Sequence, residues 1–239
     1  MKLEFLGVRN FFTKDDYHNN VLINDHILVD CGHTAARSLK EMGRSFADID
    51  TLFITHTHAD HIGGLEECAF FNRYINSGVR PRLYLPEALI PTLWEDSLKG
   101  GLEDGASGAR TLEDYFDIHA VRDAFTADNL KFNLVPTLHV EDKFCCGFRI
   151  DDRIYYSGDT RFDSNTIITN GSDVETIFQD VQFLPDGVHA PLDDLLSLPD
   201  EIIKKIILMH YPDDYETQID RAANAGFRWA ERHTPYSFS

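Results

Sequence analysis

The residues best suited to chemistry lie in one short segment, Thr55-His56-Thr57-His58-Ala59-Asp60-His61-Ile62-Gly63-Gly64. Three histidines and one aspartate fall within six residues of it, directly after an apolar, β-rich run. His56 and His58 are two positions apart, so a strand end or tight loop would direct both at one metal ion. Asp60 and His61 follow at once and could serve a second. Imidazole and carboxylate ligands together suit Zn²⁺, with Mn²⁺ or Fe²⁺ as alternatives.

Alternating strands and helices must position this segment. Apolar runs and turn residues predict strands and helices in an order typical of an α/β protein. The predicted strands are residues 2–6, 21–24, 27–30, 51–55, 82–85, 116–121, 130–138, 144–150 and 153–157. Residues 202–209 are predicted to be one more strand or a strand with a helical approach. The predicted helices are residues 34–42, 64–76, 87–98 and 219–231, and glycines mark 99–110 as a loop. No repeat or linker interrupts this order, so we expect one domain over residues 1–239.

Charge and composition exclude several classes of function. The chain has 239 residues, 43% of them hydrophobic, which is enough for a full core. It carries 22 basic against 40 acidic residues, a formal net charge of −18, and this surface would repel a nucleic-acid polymer. No apolar run is long enough for a membrane span, and the first seven residues do not resemble a signal peptide. The four cysteines show no paired spacing, so we expect a protein of the reducing cytoplasm.

The histidine-rich segment resembles that of the metallo-β-lactamase superfamily, and downstream residues extend the resemblance. His139 follows the strand at 130–138, Asp159 lies in Tyr156-Ser157-Gly158-Asp159-Thr160, and His210 ends the apolar run at 206–209. The resemblance implies an α/β fold, the αββα sandwich, and two Zn²⁺ ions per chain. It implies that the first ion is held by His56, His58 and His139, that the second is held by Asp60, His61 and His210, and that Asp159 bridges them.

The same resemblance limits the choice of substrate. An aspartate at the bridging position argues against true β-lactamases, whereas thioester and lactone hydrolases of this fold share all seven ligand types and remain alternatives. Phosphodiesterases that resemble the tRNA 3′-processing endonuclease have a phosphate-facing histidine between the last two ligands. His189 is the matching residue here, and an ordinary histidine on an exposed turn is its alternative. An RNA 3′-end endonuclease fits less well, because residues 95–117 hold seven acidic and two basic residues.

A small phosphodiester suits the charge better. The chain is similar to the anti-Pycsar proteins, metallo-β-lactamase-fold phosphodiesterases of phages and bacteria that open cyclic mononucleotides. The seven ligands, the compact length and Gly187-Val188-His189-Ala190-Pro191-Leu192 carry this similarity. It implies hydrolysis of cyclic CMP and UMP, and of cyclic AMP and GMP as further candidates, to linear monophosphates that no longer act as antiphage signals. It also implies a homodimer in the cytoplasm of a bacterium or a phage-infected host cell.

Two residues are predicted to act in catalysis. Asp60 would orient the hydroxide nucleophile, and His189 would bind a phosphoryl oxygen and protonate the leaving alkoxide. Six aromatic residues are candidates for stacking on the base, with core packing as the alternative; they are Phe11, Phe12, Tyr17, Phe70, Phe71 and Tyr211. We favour Tyr211 because it follows His210. A module that binds its ligand without turnover is the alternative from another class, and the filled ligand positions argue against it.

Overall fold

The computed structural model describes residues 1–105 and 108–238, and its chain divides into two compact units. Unit 1 holds the described residues within 1–7, 17–122 and 233–237, and unit 2 those within 8–16, 123–232 and 238. No helix among the described residues is long and apolar enough to cross a membrane. The expectation of one domain over residues 1–239 stays a prediction.

Strands occur in both units. In chain order they are β1 (Lys2–Gly7), β2 (Asn20–Ile23), β3 (Ile27–Val29), β4 (Thr51–Phe53), β5 (Arg82–Pro86), β6 (Asp104–Gly105), β7 (Gly108–Ala109), β8 (Asp117–Val121), β9 (Ala124–Ala127), β10 (Leu130–Thr137), β11 (Cys145–Ile150), β12 (Ile154–Tyr156), β13 (Thr176–Asp180), β14 (Ile206–Met209), β15 (Arg228–Trp229) and β16 (Pro235–Ser237).

The helices are short, as expected for connections between strands. They are α1 (Ala35–Glu41), α2 (Ala59–Ile62), α3 (Leu65–Phe70), α4 (Ile90–Leu93), α5 (Lys99–Leu102), α6 (Ser164–Gly171), α7 (Leu192–Leu195), α8 (Asp200–Ile203) and α9 (Ile219–Ala225). Turns of π-helix at Phe71–Ile75 and Trp94–Leu98 extend α3 and α4. Turns of 3₁₀-helix lie at Phe46–Asp48, Glu87–Leu89, Leu112–Asp114 and Asp213–Gln218.

Unit 1 contains a mixed sheet with the order β16-β1-β2-β3-β4-β5-β8. The strands are antiparallel from β16 to β3 and parallel from β3 to β8. Its central strands are buried along their whole length, which explains why they are continuous apolar runs. Asn24 and Asp25 have positive φ angles of 47° and 69° between β2 and β3, as a tight hairpin turn requires.

Unit 2 contains a second mixed sheet with the order β15-β14-β13-β12-β11-β10-β9. The strands are antiparallel from β9 to β12 and parallel from β12 to β15. Rings from three neighbouring strands pack in its core, since Phe148 lies 5.5 Å from Phe132 and 4.9 Å from Tyr156 between ring centroids. The carboxyl ends of β12, β13 and β14 meet at one edge, the usual place for a site in such sheets.

Several sequence-based boundaries are wrong. The helix expected over 219–231 ends at Ala225, because Gly226 turns the chain with a φ of 105° and leads into β15. Within the predicted loop 99–110 the structure has α5 and the ribbon of β6 with β7. Residues 106 and 107 of that loop lie outside the described residues. The strands β9 and β16 were not predicted, because both are short and only partly apolar.

Candidate functional site

In unit 1, the histidine-rich segment leaves β4 and turns into α2. The Nε2 atom of His56 lies 3.1 Å from Nδ1 of His58, and the His56 ring centroid lies 4.0 Å from that of His61. The Nε2 atom of His61 lies 3.3 Å from an oxygen of Asp60. The segment therefore brings three imidazoles and a carboxylate together, as the spacing predicted.

A buried aspartate at the end of β3 orients this group. One oxygen of Asp30 lies 2.8 Å from Nδ1 of His61 and also accepts from the Thr55 hydroxyl at 2.8 Å. Its other oxygen accepts from the Thr55 amide at 2.8 Å. Burial raises the pKa of Asp30, and the neighbouring His61 opposes that rise. Sequence analysis did not single out Asp30, although its place directly after a buried apolar run was a usable signal.

Two glycines allow the backbone around Asp30 and the histidine-rich segment to approach closely. A Cβ atom on Gly32 would lie 1.9 Å from the carbonyl oxygen of Asp60, and one on Gly64 would lie 2.5 Å from that of Gly32. The amide of Cys31 donates to the carbonyl of His61 at 2.7 Å, and the amide of Gly64 donates back to Cys31 at 2.8 Å. A side chain at either glycine would therefore separate the two segments.

In unit 2, three histidines surround one carboxylate. An oxygen of Asp159 lies 3.7 Å from Nε2 of His139, 3.4 Å from Nε2 of His210 and 3.9 Å from Nδ1 of His189. Asp159, His139 and His210 are buried, and His189 is half-buried. The structure thus brings the predicted unit 2 ligands together around Asp159, with His189 beside them.

Local backbone geometry positions these residues. Asp159 follows β12 through Gly158, whose φ is 60° and whose added Cβ would lie 2.5 Å from the carbonyl oxygen of Cys146. His210 follows β14 with a φ of 56°, an uncommon value for a residue other than glycine. The Nδ1 atom of His139 lies 2.8 Å from the carbonyl oxygen of Val188, so it donates there and Nε2 faces Asp159.

His189 is held by a second buried carboxylate that sequence analysis missed. Its Nδ1 atom lies 2.9 Å from an oxygen of Asp180, the last residue of β13. The same oxygen accepts from the amide of Thr160 at 3.1 Å, and the other accepts from the Gln179 side chain at 2.8 Å. Burial raises the pKa of Asp180, and the hydrogen bond from His189 opposes that rise. His189 therefore has a fixed ring, with Nε2 on the side away from Asp180.

Both groups of residues fit a divalent metal ion. Each combines imidazole nitrogens with carboxylate oxygens in buried surroundings, the donor set that Zn²⁺, Mn²⁺ and Fe²⁺ accept. His61 and His139 each have a second acceptor that fixes the ring, as metal-binding histidines usually do. A nearby cation would also favour the ionised carboxylates in these buried positions.

Solved structures with the same fold define the class of protein. The metallo-β-lactamase fold protein YhfI from Bacillus subtilis superposes with a TM-score of 0.75 over 98% of each chain, at 17% identity. A diphosphatase of the PhnP family superposes with a TM-score of 0.74 over 100% of this chain and 98% of its own, at 20% identity. The expected fold is confirmed, and the chain has the metallo-β-lactamase fold.

Sequence comparisons then give the family. The family model of the anti-Pycsar protein Apyc1 matches residues 1–236. The Apyc1 protein of Paenibacillus xerothermodurans is 37% identical over 249 residues, covering 100% of this chain and 98% of its own. That of Bacillus phage 010DV004 is 37% identical over 245 residues, covering 95% of each. The chain belongs to the anti-Pycsar protein Apyc1 family, as its resemblance predicted.

Proposed function

We propose that the chain hydrolyses 3′,5′-cyclic mononucleotides to linear monophosphates and so removes a cyclic pyrimidine signal of antiphage defence. The observation that carries the proposal is the His189–Asp180 pair beside Asp159, in a chain of the anti-Pycsar family. A histidine fixed by a buried carboxylate suits a proton donor to a leaving alkoxide. The acidic surface also favours a small substrate over a nucleic-acid polymer.

The proposal includes two Zn²⁺ ions per chain, with Mn²⁺ or Fe²⁺ as alternatives. Their ligands would be the seven residues named from the sequence, which are His56, His58, Asp60, His61, His139, Asp159 and His210. When bound, the metal ions lower the pKa of a water molecule and neutralise charge on the phosphoryl oxygens. The geometry within each unit supports this ligand set.

The chain's own residues supply positioning and proton transfer. Asp60 orients the water that attacks phosphorus, and the proton that this water loses passes to solvent, from which His189 is later reprotonated. The bond between phosphorus and one ribose oxygen breaks, and His189 donates a proton from Nε2 to that oxygen. Asp180 holds Nδ1 of the same ring, so that Nε2 keeps its direction through the reaction. The balance is the addition of one water molecule, with a linear monophosphate as product.

We also propose a homodimer in the cytoplasm of a bacterium or a phage-infected host cell. On unit 1, Phe70, Phe71, Tyr74 and Ile75 line an open groove of about 680 Å³, and two of these side chains are exposed. Apolar surface of this kind supports association between copies. All four cysteines are buried and outside any disulfide, in keeping with a reducing compartment. Sedimentation equilibrium of the purified protein measures the stoichiometry, and a monomer at micromolar concentration would contradict the dimer.

Turnover of cyclic mononucleotides by the purified, zinc-loaded protein tests the activity. We expect cyclic CMP and UMP to become linear monophosphates, and expect the double variant Asp60→Ala, His61→Ala to lose this activity. Cyclic AMP and GMP in the same assay rank the bases. If two metals are bound and none of the four is converted, the proposal fails and thioester, lactone and RNA 3′-end substrates should be assayed next.

A further inference from the structure

We infer that Phe11 and Phe12 form the surface on which the base of the substrate stacks. The inference rests on the proposed function for the identity of the substrate. Its structural observations all come from residues of unit 2. It concerns a cavity of about 550 Å³ whose wall includes Asn10, Phe11, Phe12, Gln182, Leu184 and His189. This volume is in the range of small-molecule sites.

His189 is part of the cavity wall. Its ring is the group proposed to face the phosphate, so a cyclic nucleotide bound at His189 must place its ribose and base along the remaining wall. That wall is mainly apolar, and it includes exposed side chains. Phe12 is 76% exposed, Leu184 70% and Phe11 44%.

Exposed phenyl rings beside a cavity are suited to a planar ligand. The centroids of Phe11 and Phe12 lie 5.3 Å apart in an edge-to-face arrangement. Leaving such rings in water forgoes the burial that stabilises most aromatic side chains. A base can stack on an aromatic ring whatever its hydrogen-bonding pattern, because every base has a π-face.

The backbone around these rings is held in place. The amide of Asn10 donates to the carbonyl of Tyr211 at 3.3 Å, and its side-chain oxygen accepts from the amide of Phe12 at 3.0 Å. Further along, both oxygens of Asp213 are engaged, one by the Thr13 hydroxyl at 2.5 Å and the other by the Lys14 amide at 2.8 Å. A surface ordered before the ligand arrives loses less entropy on binding.

Tyr211, the aromatic residue favoured from the sequence for stacking on the base, instead helps to hold this backbone segment. Tyr211 is buried and donates its hydroxyl to the carbonyl of Ala230 at 2.7 Å. The Arg9 guanidinium lies 4.6 Å from its ring centroid and 4.1 Å from that of Tyr215. Tyr211 therefore packs beneath the segment that presents Phe11 and Phe12.

Negative charge in the cavity wall favours a neutral base over the phosphate beside it. Asp213 and Asp214 also line the wall. Burial tends to raise the pKa of Asp213, but the Thr13 hydroxyl and the Lys14 amide bring it below the usual value, so the group is ionised at neutral pH. A carboxylate repels the cyclic phosphate and tolerates a neutral base, which orients the substrate with its phosphate at His189.

Kinetics with two substrates separate base stacking from phosphate binding. The substrates are cyclic CMP and the base-free 1-O-methyl riboside 3′,5′-cyclic phosphate, assayed with Phe12→Ala, Phe12→Trp and the control Ile168→Ala. For Phe12→Ala we expect KM for cyclic CMP to rise about tenfold with kcat almost unchanged, and KM for the base-free substrate to stay constant. Phe12→Trp should restore the KM for cyclic CMP. Ile168→Ala, which removes exposed apolar surface of α6, should change neither constant.

A binding measurement gives a readout besides turnover. The fluorescence of 2-aminopurine falls when it stacks, so the cyclic phosphorothioate of its riboside, which resists hydrolysis, reports stacking directly. We expect quenching by the zinc-loaded wild-type protein and its loss in Phe12→Ala. An equal KM increase for both substrates, or unchanged KM and unchanged quenching in Phe12→Ala, would overturn the inference. Absence of turnover by the wild-type protein would instead contradict the proposed function, and the quenching would still decide the role of Phe12.

Discussion

The Nδ1 atom of His61 lies 2.8 Å from the Oδ2 atom of Asp30, and both side chains are buried. Asp30 is also fixed by two hydrogen bonds from Thr55, the residue that opens the histidine-rich segment. One carboxylate therefore sets both the path of the backbone into the segment and the direction of an imidazole within it. Because Nδ1 of His61 is engaged by Asp30, a metal ion held by this ring would bind Nε2.

The first prediction is that Asp30→Asn weakens metal binding. An amide cannot accept from His61 and from both donors of Thr55 as a carboxylate does, so the imidazole loses its fixed direction. We expect zinc affinity to fall about 10- to 100-fold, measured by competition with a chromophoric chelator. The matched control is Asp117→Asn, an exposed aspartate of β8. Equal affinities for Asp30→Asn and the wild type would show that Asp30 does not support a metal ligand.

The second prediction concerns Asp180, which acts through His189. We expect Asp180→Asn to lower kcat about 10- to 100-fold with KM and metal content unchanged, because His189 loses the acceptor that fixes its ring. In a His189→Ala background the same substitution should have little further effect on kcat. Steady-state kinetics of the four proteins measures the coupling. Additive losses would mean that Asp180 acts independently of His189.

The third prediction concerns metal removal. Buried carboxylates near one another are more stable with a cation between them, and an ion that binds only the folded state raises the melting temperature. We expect exhaustive chelation to abolish turnover and to lower Tm on the order of 5 °C or more, and added Zn²⁺ to restore both. Scanning calorimetry with elemental analysis of the same samples provides the measurement. If Tm stays the same after chelation and after addition of Zn²⁺, metal binding does not stabilise the folded protein.

The fourth prediction is that the N-cap of α6 stabilises the folded protein. Asp163 is the N-cap, and its Oδ1 atom accepts from the amides of Asn165 at 2.9 Å and Thr166 at 3.2 Å. We expect Asp163→Ala to lower the free energy of unfolding by about 1 kcal/mol at pH 7, measured by urea denaturation. Asp163→Asn is the matched variant, since its amide oxygen still caps. Equal stability of Asp163→Ala and the wild type would exclude a contribution from the cap.

The pH dependence of this cap has a definite sign. Hydrogen bonds from the Thr166 hydroxyl and the backbone amides lower the pKa of Asp163 in the folded protein from its ordinary value of 3.8. Its contribution is therefore complete above pH 3.8 and is lost as pH falls through the lower, folded pKa. The stability difference between wild type and Asp163→Asn should shrink with acidification across that range. A difference that grows there would contradict the lowered pKa.

The sequence was sufficient for the parts of the site that have a local pattern. His56, His58, Asp60 and His61 are close along the chain, and the apolar run before them identified the strand that presents them. The later strands followed from the same alternation, whereas His139, Asp159 and His210 were assigned through the resemblance to the metallo-β-lactamase superfamily. The strands and the histidine-rich segment depend on periodicity and spacing, which a single sequence contains.

The pairing of these histidines with the carboxylates that orient them could not be found in this way. Asp30 is 31 residues from His61, and Asp180 is nine residues from His189, with no spacing that marks either pair. Asp30 and His61 meet because the parallel strands β3 and β4 bring their carboxyl ends to one edge of a sheet. Asp180 and His189 meet because the chain that leaves β13 folds back to the end of that strand. Likewise, Tyr211 and Phe12 differ in exposure only because tertiary packing buries one of them.

The β16 edge of the unit 1 sheet is poorly suited to pairing with a strand of another copy. Its outermost strand, β16, is only three residues long and begins with Pro235, which has no amide hydrogen to offer a further strand. A short edge that contains proline is a poor template for intermolecular hydrogen bonding. Deleting these residues would expose the longer backbone of β1, with its alternating donors and acceptors. The strand β16 therefore disfavours extension of the sheet by main-chain hydrogen bonds at this edge.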